Sequence, residues 1–292
     1  MNQHRFVAPP QDPRTRIDAA AGQATVPASA ESPEPGVFIT FEGGDGAGKT
    51  THIRFLANAL SAMGREVLCL REPGGTPVGE QLRGVVLSPA NESMCDSSEL
   101  LIYEAARAQL VAEVIAPALA RGAVVLCDRF CDSTVAYQGF GRGLDLSFVR
   151  RANDFACQGI SPDRTILLVA ASAAEGLTRA TLHAGADRME RAGEGFHSRV
   201  NDAFLEIARE NPDRIRVVSS SGMKSQTALS VFSALTDLFP WMPDFVRANP
   251  AYFERLDVQR SHEGRIDLRD DGAAGAERRA GADGHVGQES GR

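Results

Sequence analysis

The stretch GGDGAGKT, Gly43 to Thr50, decides the fold that we expect for this chain. It follows a run of β-branched and aromatic residues, Val37–Glu42, and a helical pattern starts at about Lys49. This strand–loop–helix context is the one that the pattern G-x-x-x-x-G-K-[ST] requires. Glycines let the loop backbone turn its N–H groups toward a polyphosphate, and the start of the helix adds partial positive charge. The stretch therefore predicts a loop that binds a nucleoside triphosphate.

Lys49 is unusual in this chain, which has 29 arginines and only two lysines, Lys49 and Lys224. A phosphate loop needs a compact ammonium that reaches the β- and γ-phosphates inside a tight turn, and the planar guanidinium of arginine has a different geometry. Thr50 follows with a hydroxyl that Mg²⁺ can take as a ligand. With these residue frequencies a chance match to the pattern is expected roughly 0.002 times in the chain. Chance therefore does not explain the stretch.

Short apolar runs alternate with helical patterns through the central part of the chain. The runs that predict strands are Val37–Glu42, Glu66–Arg71, Ala123–Asp128, Thr165–Ala170 and Ile215–Ser220. They are mostly apolar instead of alternating, as expected of strands that are covered on both faces. After the phosphate loop, Ile53, Leu56, Leu60 and Met63 recur at helical spacing, and Gly64 follows where that helix would end. This alternation predicts an α/β fold with a five-stranded parallel sheet and helices on both faces.

Composition divides the chain into three parts. Residues 1–35 are rich in Pro, Ala, Ser and charged residues and have no periodic apolar pattern, which predicts a disordered tail. Residues 36–245 are expected to form one domain. Residues 246–292, which end in DDGAAGAERRAGADGHVGQESGR, are expected to be a mostly disordered extension.

Charge and cysteine content exclude some classes of function. The net charge of −7 argues against non-specific attraction to nucleic acid or anionic lipid as the main activity. No run approaches the length of a membrane-spanning helix, and the first residues lack the apolar core of a secretory signal. The five cysteines form no C-x-x-C pair, which indicates reduced, buried thiols in a cytoplasmic protein. A metal site at Cys127 and Cys131 is a minor alternative, since no second ligand pair follows.

Three further stretches of the sequence contain candidate binding residues. LREPGGTPVGEQLR, Leu70–Arg83, follows the second predicted strand with an arginine and a glycine turn. YEAARAQL, Tyr103–Leu110, places a tyrosine and an arginine four residues apart, on one face of a helix. CDRFCDSTVAYQGFGRG, Cys127–Gly143, follows the third predicted strand.

Together with the phosphate loop, these stretches resemble those of thymidylate kinases, the enzymes that phosphorylate dTMP to dTDP. The resemblance covers about Val37 to Phe239. It implies the P-loop fold of nucleoside monophosphate kinases with a mobile lid segment, ATP with Mg²⁺ as phosphate donor, dTMP as acceptor, and a homodimer.

The resemblance also implies contacts to the base of dTMP. Tyr103 takes the place of the aromatic ring that stacks on thymine, and Arg107 that of the arginine that hydrogen-bonds the base edge. Thr134 and Gln138 lie where polar contacts to base or sugar occur. Taken singly, each has a structural alternative, since Tyr103 could be a core aromatic, Arg107 a solvated helix charge, and the other two surface polar residues.

Contacts to the sugar and phosphate of dTMP follow from the same resemblance. Arg71 and Arg129 match the pair that holds the acceptor phosphate, and Tyr137 matches the ring packed against the deoxyribose. Asp45, inside the phosphate loop, matches the acidic residue placed near the acceptor. A planar base with a dianionic phosphate suits stacking combined with bidentate arginine contacts. The structural alternative for Asp128 and Arg129 is an ion pair at a strand end.

For the donor side we expect Lys49 and the loop amides on the ATP phosphates and Thr50 on Mg²⁺, with Asp128 acting on the water shell of the metal. Arg129 is expected to bridge the donor and acceptor phosphates. The residues expected to bind ATP are Gly43, Gly44, Asp45, Gly46, Ala47, Gly48, Lys49, Thr50 and Thr51.

The segment LTRATLHAGADRMERAG corresponds to the lid of the resembled family, which carries arginines that close over ATP. Arg179, Arg188 and Arg191 are its candidates here, with Arg179 as the candidate catalytic cation. Thr181 and His183 stand where basic residues would be expected. Arg188 is expected to anchor the lid to the acceptor side, and Arg191 has a solvated loop charge as its alternative.

Two other functions stay open on the sequence alone. One is a kinase for another nucleoside monophosphate, and the other is a nucleotide-binding regulatory protein whose lid chemistry is weakened. A GTPase switch is not expected, because the chain has no N-K-x-D guanine motif.

Overall fold

The computed structural model describes residues 35–170 and 187–258 of the chain. Nearly all of the predicted N-terminal tail, the lid residue Arg179 and the chain after Val258 lie outside these ranges. Within them, no helix is long and apolar enough to cross a membrane.

The centre of the fold is a five-stranded sheet in the order β2-β3-β1-β4-β5, and every neighbouring pair is parallel. The strands are β1 (Val37–Glu42), β2 (Val67–Arg71), β3 (Val124–Asp128), β4 (Arg164–Val169) and β5 (Ile215–Ser219). The α/β class and the parallel five-stranded sheet predicted from the sequence are confirmed.

Helices connect the strands and cover both faces of the sheet. They are α1 (Lys49–Ala62), α2 (Pro77–Leu87), α3 (Asp96–Leu110), α4 (Ala116–Ala120), α5 (Cys131–Thr134), α6 (Leu146–Cys157), α7 (Glu194–Glu210), α8 (Lys224–Ser233), α9 (Met242–Ala248) and α10 (Pro250–Val258). Two π-helical segments, Val111–Ile115 and Val135–Gly141, continue α3 and α5. Short 3₁₀ turns occupy Pro89–Asn91 and Glu190–Ala192.

The central strand β1 is buried along its whole length because it pairs with β3 on one side and β4 on the other. Its alternate residues point to opposite faces. Ile39 and Phe41 pack in one core cluster with Leu56 of α1, while Phe38 packs in another with Leu110 of α3. Both faces of the sheet therefore have a core of their own.

The outer strands depart from the expectation that every strand is covered on both faces. No residue of β2 is fully buried, and Val217 of β5 is about half exposed. Both strands lie at an edge of the sheet, where one side has no partner strand and the helical cover is incomplete.

The packed part of the chain also extends further than the predicted domain boundary at residue 245. That boundary falls inside α9, and α10 follows it. Phe253 and Leu256 of α10 are buried in the same core cluster as α1. Residues 246–258 are therefore part of the domain.

All five cysteines are free thiols, but the prediction that they are buried is wrong for two of them. Cys69 and Cys95 are exposed, whereas Cys127 and Cys157 are buried and Cys131 is half-buried. No group of three or more His, Cys, Asp or Glu side chains that could hold a metal ion occurs in the two described ranges. The alternative of a metal site at Cys127 and Cys131 therefore has no support in the structure.

Candidate active site

A cleft of about 810 Å³ opens at the carboxyl edge of the sheet, where β1, β2 and β3 end. Most of the predicted site residues line it. From the phosphate loop and the start of α1 these are Asp45, Gly46, Ala47, Gly48, Lys49, Thr50 and Thr51. From the remaining stretches they are Arg71, Tyr103, Arg107, Asp128, Arg129, Thr134, Tyr137 and Gln138.

Gly43 and Gly44 lie behind the loop and line a smaller pocket of about 270 Å³. The backbone of Gly43 has a φ of 127°, and a Cβ at this position would lie 2.2 Å from the carbonyl oxygen of Leu168 on β4. No side chain fits there. The contact with β4 thus fixes where the phosphate loop leaves the sheet.

The ammonium of Lys49 is held inside the loop. Its Nζ donates hydrogen bonds to the carbonyl oxygens of Gly43, at 3.1 Å, and Gly44, at 3.0 Å. Burial lowers the pKa of Lys49 from its usual value, and the nearby guanidinium of Arg129 lowers it further. The Lys49 side chain is therefore fixed inside the loop, in the lining of the cleft.

Thr50 and Asp128 bring two side-chain oxygens together beside the loop. The Thr50 hydroxyl donates to Oδ2 of Asp128 at 2.6 Å, although the two residues are 78 positions apart in the chain. Carboxylate and hydroxyl oxygens suit Mg²⁺, which is commonly bound by one or two protein oxygens together with substrate phosphates and water. The residues present fit this ion.

Arg129 lines the cleft and is held by three neighbouring residues. It donates to Oδ1 of Asp45 at 2.6 Å and to the hydroxyl of Ser133 at 3.2 Å, and its guanidinium lies 5.1 Å from the ring centroid of Tyr137. Burial alone would raise the pKa of Asp45, but Arg129 and Lys49 hold it below its usual value. A charged Asp45 and Arg129 thus form an ion pair in the lining of the cleft.

Glu42, the last residue of β1, supports this arrangement from below and was not identified from the sequence. Its carboxylate accepts hydrogen bonds from the backbone N–H of Phe130 at 2.7 Å and from the Ser133 hydroxyl at 2.6 Å. Burial raises its pKa to about 7, and the neighbouring Asp132 adds to that rise. Glu42 therefore positions the segment that carries Arg129.

Arg71 ends β2 at the rim of the cleft. It donates to both carboxylate oxygens of Glu80, at 3.1 and 2.9 Å, and to the Pro73 carbonyl oxygen at 2.9 Å. Arg83, which the sequence did not single out, also lines the cleft and donates to the same Pro73 oxygen at 3.0 Å. Two arginines thus converge at this end.

Tyr103 and Tyr137 supply aromatic surfaces to the lining of the cleft. Burial raises the pKa of both phenols, so each stays neutral. Tyr137 packs edge-on against Phe196, with ring centroids 5.9 Å apart. Its hydroxyl is buried and has no hydrogen-bond partner among the described residues.

Arg107 lies in the wall of the cleft with every N–H group directed at a protein acceptor. It donates to Glu72 at 2.7 and 3.0 Å, to Glu104 at 3.0 Å, to Asn153 at 2.6 Å and to Thr134 at 3.0 Å. This arrangement leaves no N–H for the base edge that the resemblance assigns to Arg107. Its visible role is to join the helices that form the wall.

Gln138 belongs to a second buried network, centred on Glu99. The Glu99 carboxylate accepts from Gln138 at 2.8 Å and from Arg142 at 2.9 and 3.1 Å, and it pairs with Arg188. Arg188 also donates to the Val86 carbonyl oxygen at 2.8 Å, and it does not line the cleft. Arg188 is thus held by Glu99 and by the end of α2.

The remaining lid candidates are not brought to the cleft within the described ranges. Arg191 is half exposed and lies 3.6 Å from Glu92. Arg179 lies outside the residues that the structure describes.

The opposite end of the cleft was largely missed by sequence reasoning. Ser220, Gly222, Lys224 and Thr227 line it, together with His52 of α1. No motif marks these residues.

Comparisons with known proteins show similarity to one family. A sequence model of the thymidylate kinase family matches residues 41–229. The thymidylate kinase of Geobacter sulfurreducens is 47% identical over 211 residues, which cover 70% of this chain and 99% of that protein. The thymidylate kinase of Pseudomonas fluorescens is 48% identical over 203 residues, which cover 70% of this chain and 96% of that protein.

A solved structure is similar as well. The crystal structure of thymidylate kinase from Ehrlichia chaffeensis matches with a TM-score of 0.57 and 33% identity, over 69% of this chain and 99% of that chain. With a family match over more than half of the chain and relatives of this identity, the chain belongs to the thymidylate kinase family.

Proposed function

We propose that this chain transfers the γ-phosphoryl group of ATP to dTMP in the cleft described above. One observation carries the proposal. The phosphate loop with Lys49 and the acceptor residues Arg71, Tyr103 and Arg129 face one cavity, although they come from distant parts of the chain.

On the donor side, Lys49 and the backbone N–H groups of the loop hold the β- and γ-phosphates. Thr50 and Asp128 would hold Mg²⁺, Asp128 through water. The ion, when bound, supplies positive charge to the phosphate oxygens and fixes their geometry. The 2.6 Å contact between the two side chains supports this assignment because it places both ligands at one point.

On the acceptor side, Arg71 and Arg129 hold the phosphate of dTMP, and Tyr103 stacks on the base. Thr134 and Gln138 lie near the base, each tethered by a buried network. Tyr137 packs on the sugar.

The acceptor phosphate is already ionised, so the reaction needs no general base to form a nucleophile. The work of the protein is to hold two mutually repelling phosphates in line and to neutralise charge in the transition state. Arg129 is placed for this task, between Asp45 of the phosphate loop and the acceptor end.

The test is a coupled assay of ADP release with dTMP, dUMP, dCMP, AMP and GMP as acceptors. We expect the highest kcat/KM with dTMP. The Lys49→Ala variant is the control for contaminating kinases. Preference for a purine nucleotide would favour the alternative of another nucleoside monophosphate kinase, and binding of both nucleotides without ADP release would favour the regulatory alternative. The family relationship favours neither alternative.

The proposed homodimer uses helices α2, α3 and α6. These helices pack side by side, and together they carry five exposed large apolar side chains, which we call the stripe residues. The stripe residues are Val78 and Val85 on α2, Leu101 on α3, and Phe148 and Phe155 on α6. Phe155 is 86% exposed and Leu101 56% exposed, which is unusual for side chains of this size unless a partner covers them. A second copy of the chain is the partner that we propose.

Two further proposals concern the lid and the location of the protein. Arg179 is proposed as the lid cation on the resemblance alone. Arg179→Ala should lower kcat more than Arg191→Ala, and equal activities would contradict that role.

A cytoplasmic location is proposed because all five thiols are free, as expected where thiols stay reduced.

A further inference from the structure

Helices α9 and α10 lie beyond residue 229, where the match to the family model ends. They pack against α8, and α10 also contacts α1. Helices α1 and α8 flank the cleft at the end opposite the acceptor residues. Helix α1 follows the phosphate loop, and α8 follows the loop that contains Ser220 and Gly222.

An aromatic cluster joins α10 to α1 and α8. The Tyr252 hydroxyl donates to the Phe55 carbonyl oxygen at 2.7 Å, and the two rings lie 4.2 Å apart. Phe253 contacts both Phe55 and Phe232 of α8, with centroid distances of 5.3 and 5.0 Å. Aromatic pairs at these distances stabilise beyond the area that they bury. The cluster therefore fixes α10 against both helices.

Asp257, near the end of α10, reaches the first turn of α8. Its Oδ1 accepts a hydrogen bond from the backbone N–H of Ser225 at 3.2 Å. No side chain of the preceding residue Met223 caps this helix, and its own first turn has no acidic residue. A carboxylate at this position satisfies an unpaired N–H group and interacts favourably with the helix dipole. Asp257 thus caps the start of α8 in place of a residue from the preceding chain.

The capped turn is directly connected to the cleft. Lys224 and Thr227 on α8 line the cleft, and Lys224 immediately precedes the capped Ser225. His52 of α1 completes the connection, since its Nδ1 lies 2.9 Å from the Gly48 carbonyl oxygen and its Nε2 lies 3.3 Å from the Lys224 carbonyl oxygen. A neutral imidazole has one N–H group, so His52 donates to one of these two carbonyl oxygens and packs against the other.

We propose that α10 is a brace for the donor nucleotide, and that Asp257 is a positioning residue that holds the Ser220–Thr227 segment in the conformation that binds the nucleoside part of ATP. The proposal rests on the proposed function, which places the ATP phosphates on the neighbouring loop. The brace acts on the donor end alone, because the acceptor residues are on β2, α3 and the chain after β3.

The first experiment measures kcat and both KM values for Asp257→Ala. Loss of a helix cap weakens the start of α8, and we expect the KM for ATP to rise about threefold to tenfold. The KM for dTMP and kcat at saturating ATP should stay within about twofold. Asp257→Asn keeps a side-chain oxygen that can accept from Ser225 and should recover most of the affinity for ATP.

Glu254→Ala is the matched control. Glu254 lies on the same helix, carries the same charge and is exposed, so its removal should leave both KM values unchanged. An unchanged KM for ATP in Asp257→Ala would overturn the proposal. A parallel change of both KM values and kcat, together with a lower melting temperature, would also overturn it, since that pattern indicates a structural role only.

Hydrogen exchange separates failure of the brace from failure of the proposed function. In the unaltered chain, addition of ATP should protect a peptide that spans residues 219–227. If it does not, the placement of the nucleotide is wrong and the proposal falls with it. If it does, faster exchange of that peptide in Asp257→Ala without nucleotide supports the brace, and unchanged exchange overturns the brace alone.

Discussion

At the scale of single residues, the ammonium of Lys49 has no substitute elsewhere in the phosphate loop. Lys49→Ala should lower kcat/KM by about 10²- to 10³-fold, because the charge that stabilises the transferred phosphoryl group is lost. Lys49→Arg keeps a positive charge and is expected to be almost as slow, since the guanidinium does not fit between the carbonyl oxygens of Gly43 and Gly44. Steady-state kinetics and thermal melting of both variants check this. Near-normal activity of the arginine variant would show that charge alone suffices.

The hydroxyl of Thr50 gives a second prediction. Thr50→Val keeps the shape of the side chain but removes the oxygen that contacts Asp128. We expect the Mg²⁺ concentration for half-maximal activity to rise at least about tenfold. Thr50→Ser retains the hydroxyl and is the matched control. Equal Mg²⁺ requirements of the two variants would remove Thr50 from the proposed metal site.

Glu72 predicts how stability depends on pH. Burial raises its pKa to about 7 from a usual value near 4.5, although Arg107 opposes the rise. The single positive charge of Arg107 pairs with two carboxylates, Glu72 and Glu104. The folded protein therefore favours a proton on one of the two carboxyl groups. The folded chain then holds more protons than the unfolded chain between pH 4.5 and 7. The corresponding stability is present below pH 4.5 and is lost as the pH rises through 7.

The measurement is urea unfolding at pH 5 and pH 8. From pH 5 to pH 8, the free energy of unfolding of the wild-type protein should fall by on the order of 2 kcal/mol more than that of Glu72→Gln. Glu80→Gln is the control. Its carboxylate is largely exposed, and hydrogen bonds from Gly75 and Arg71 lower the pKa of Glu80 despite partial burial. The free energy of unfolding of Glu80→Gln should fall between pH 5 and pH 8 by as much as that of the wild-type protein. An equal fall in Glu72→Gln would contradict the raised pKa of Glu72.

Sequence motifs led to residues that belong to short local patterns and line the cleft, such as Lys49 and Tyr103. They missed Glu42 and Ser133, whose roles depend on β1 and β3 being neighbours in the sheet. They also could not show that the N–H groups of Arg107 are taken by protein acceptors. Three of the four acceptors of Arg107, namely Glu72, Thr134 and Asn153, are 27 to 46 positions away in the chain, and no local pattern specifies them.

At the scale of elements, the exit of the phosphate loop from β1 depends on the absence of a side chain at Gly43. Gly43→Ala should destabilise the fold by about 3 kcal/mol, because a Cβ would overlap the Leu168 carbonyl oxygen and the φ of 127° is strained for alanine. Gly64→Ala is the matched control, with a φ of 84° and nothing within 4 Å of the added carbon. It should cost only about 1 kcal/mol. Equal losses in urea unfolding would show that the contact with β4 is unimportant.

Strands and the first helix were predicted to within one residue at most ends, because their apolar runs are bounded by glycine or charged residues. Helices α9 and α10 were missed. Each is under ten residues long, and Pro243, Asn249 and Pro250 interrupt the apolar spacing. Their stability comes from packing on α1 and α8, which a local pattern does not contain.

At the scale of the whole molecule, the stripe residues of α2, α3 and α6 predict a dimer. Light scattering should give about twice the chain mass of 31.2 kDa. Leu101→Arg and Phe155→Arg should each produce a folded monomer, since both side chains are exposed in a single chain. Val217→Arg, on the outer strand β5 at the edge of the sheet, is the control and should stay dimeric. A monomeric wild-type protein would contradict the proposed interface.

The position of β1 in the middle of the sheet has a consequence for biosynthesis. This strand is the first to leave the ribosome, yet its partners β3 and β4 are made some 85 and 125 residues later. Until then its apolar side chains have no sheet to join, and the nascent segment is exposed to aggregation or to chaperones. The turn that receives ATP is thus translated early but completed only when Leu168 emerges to close against Gly43.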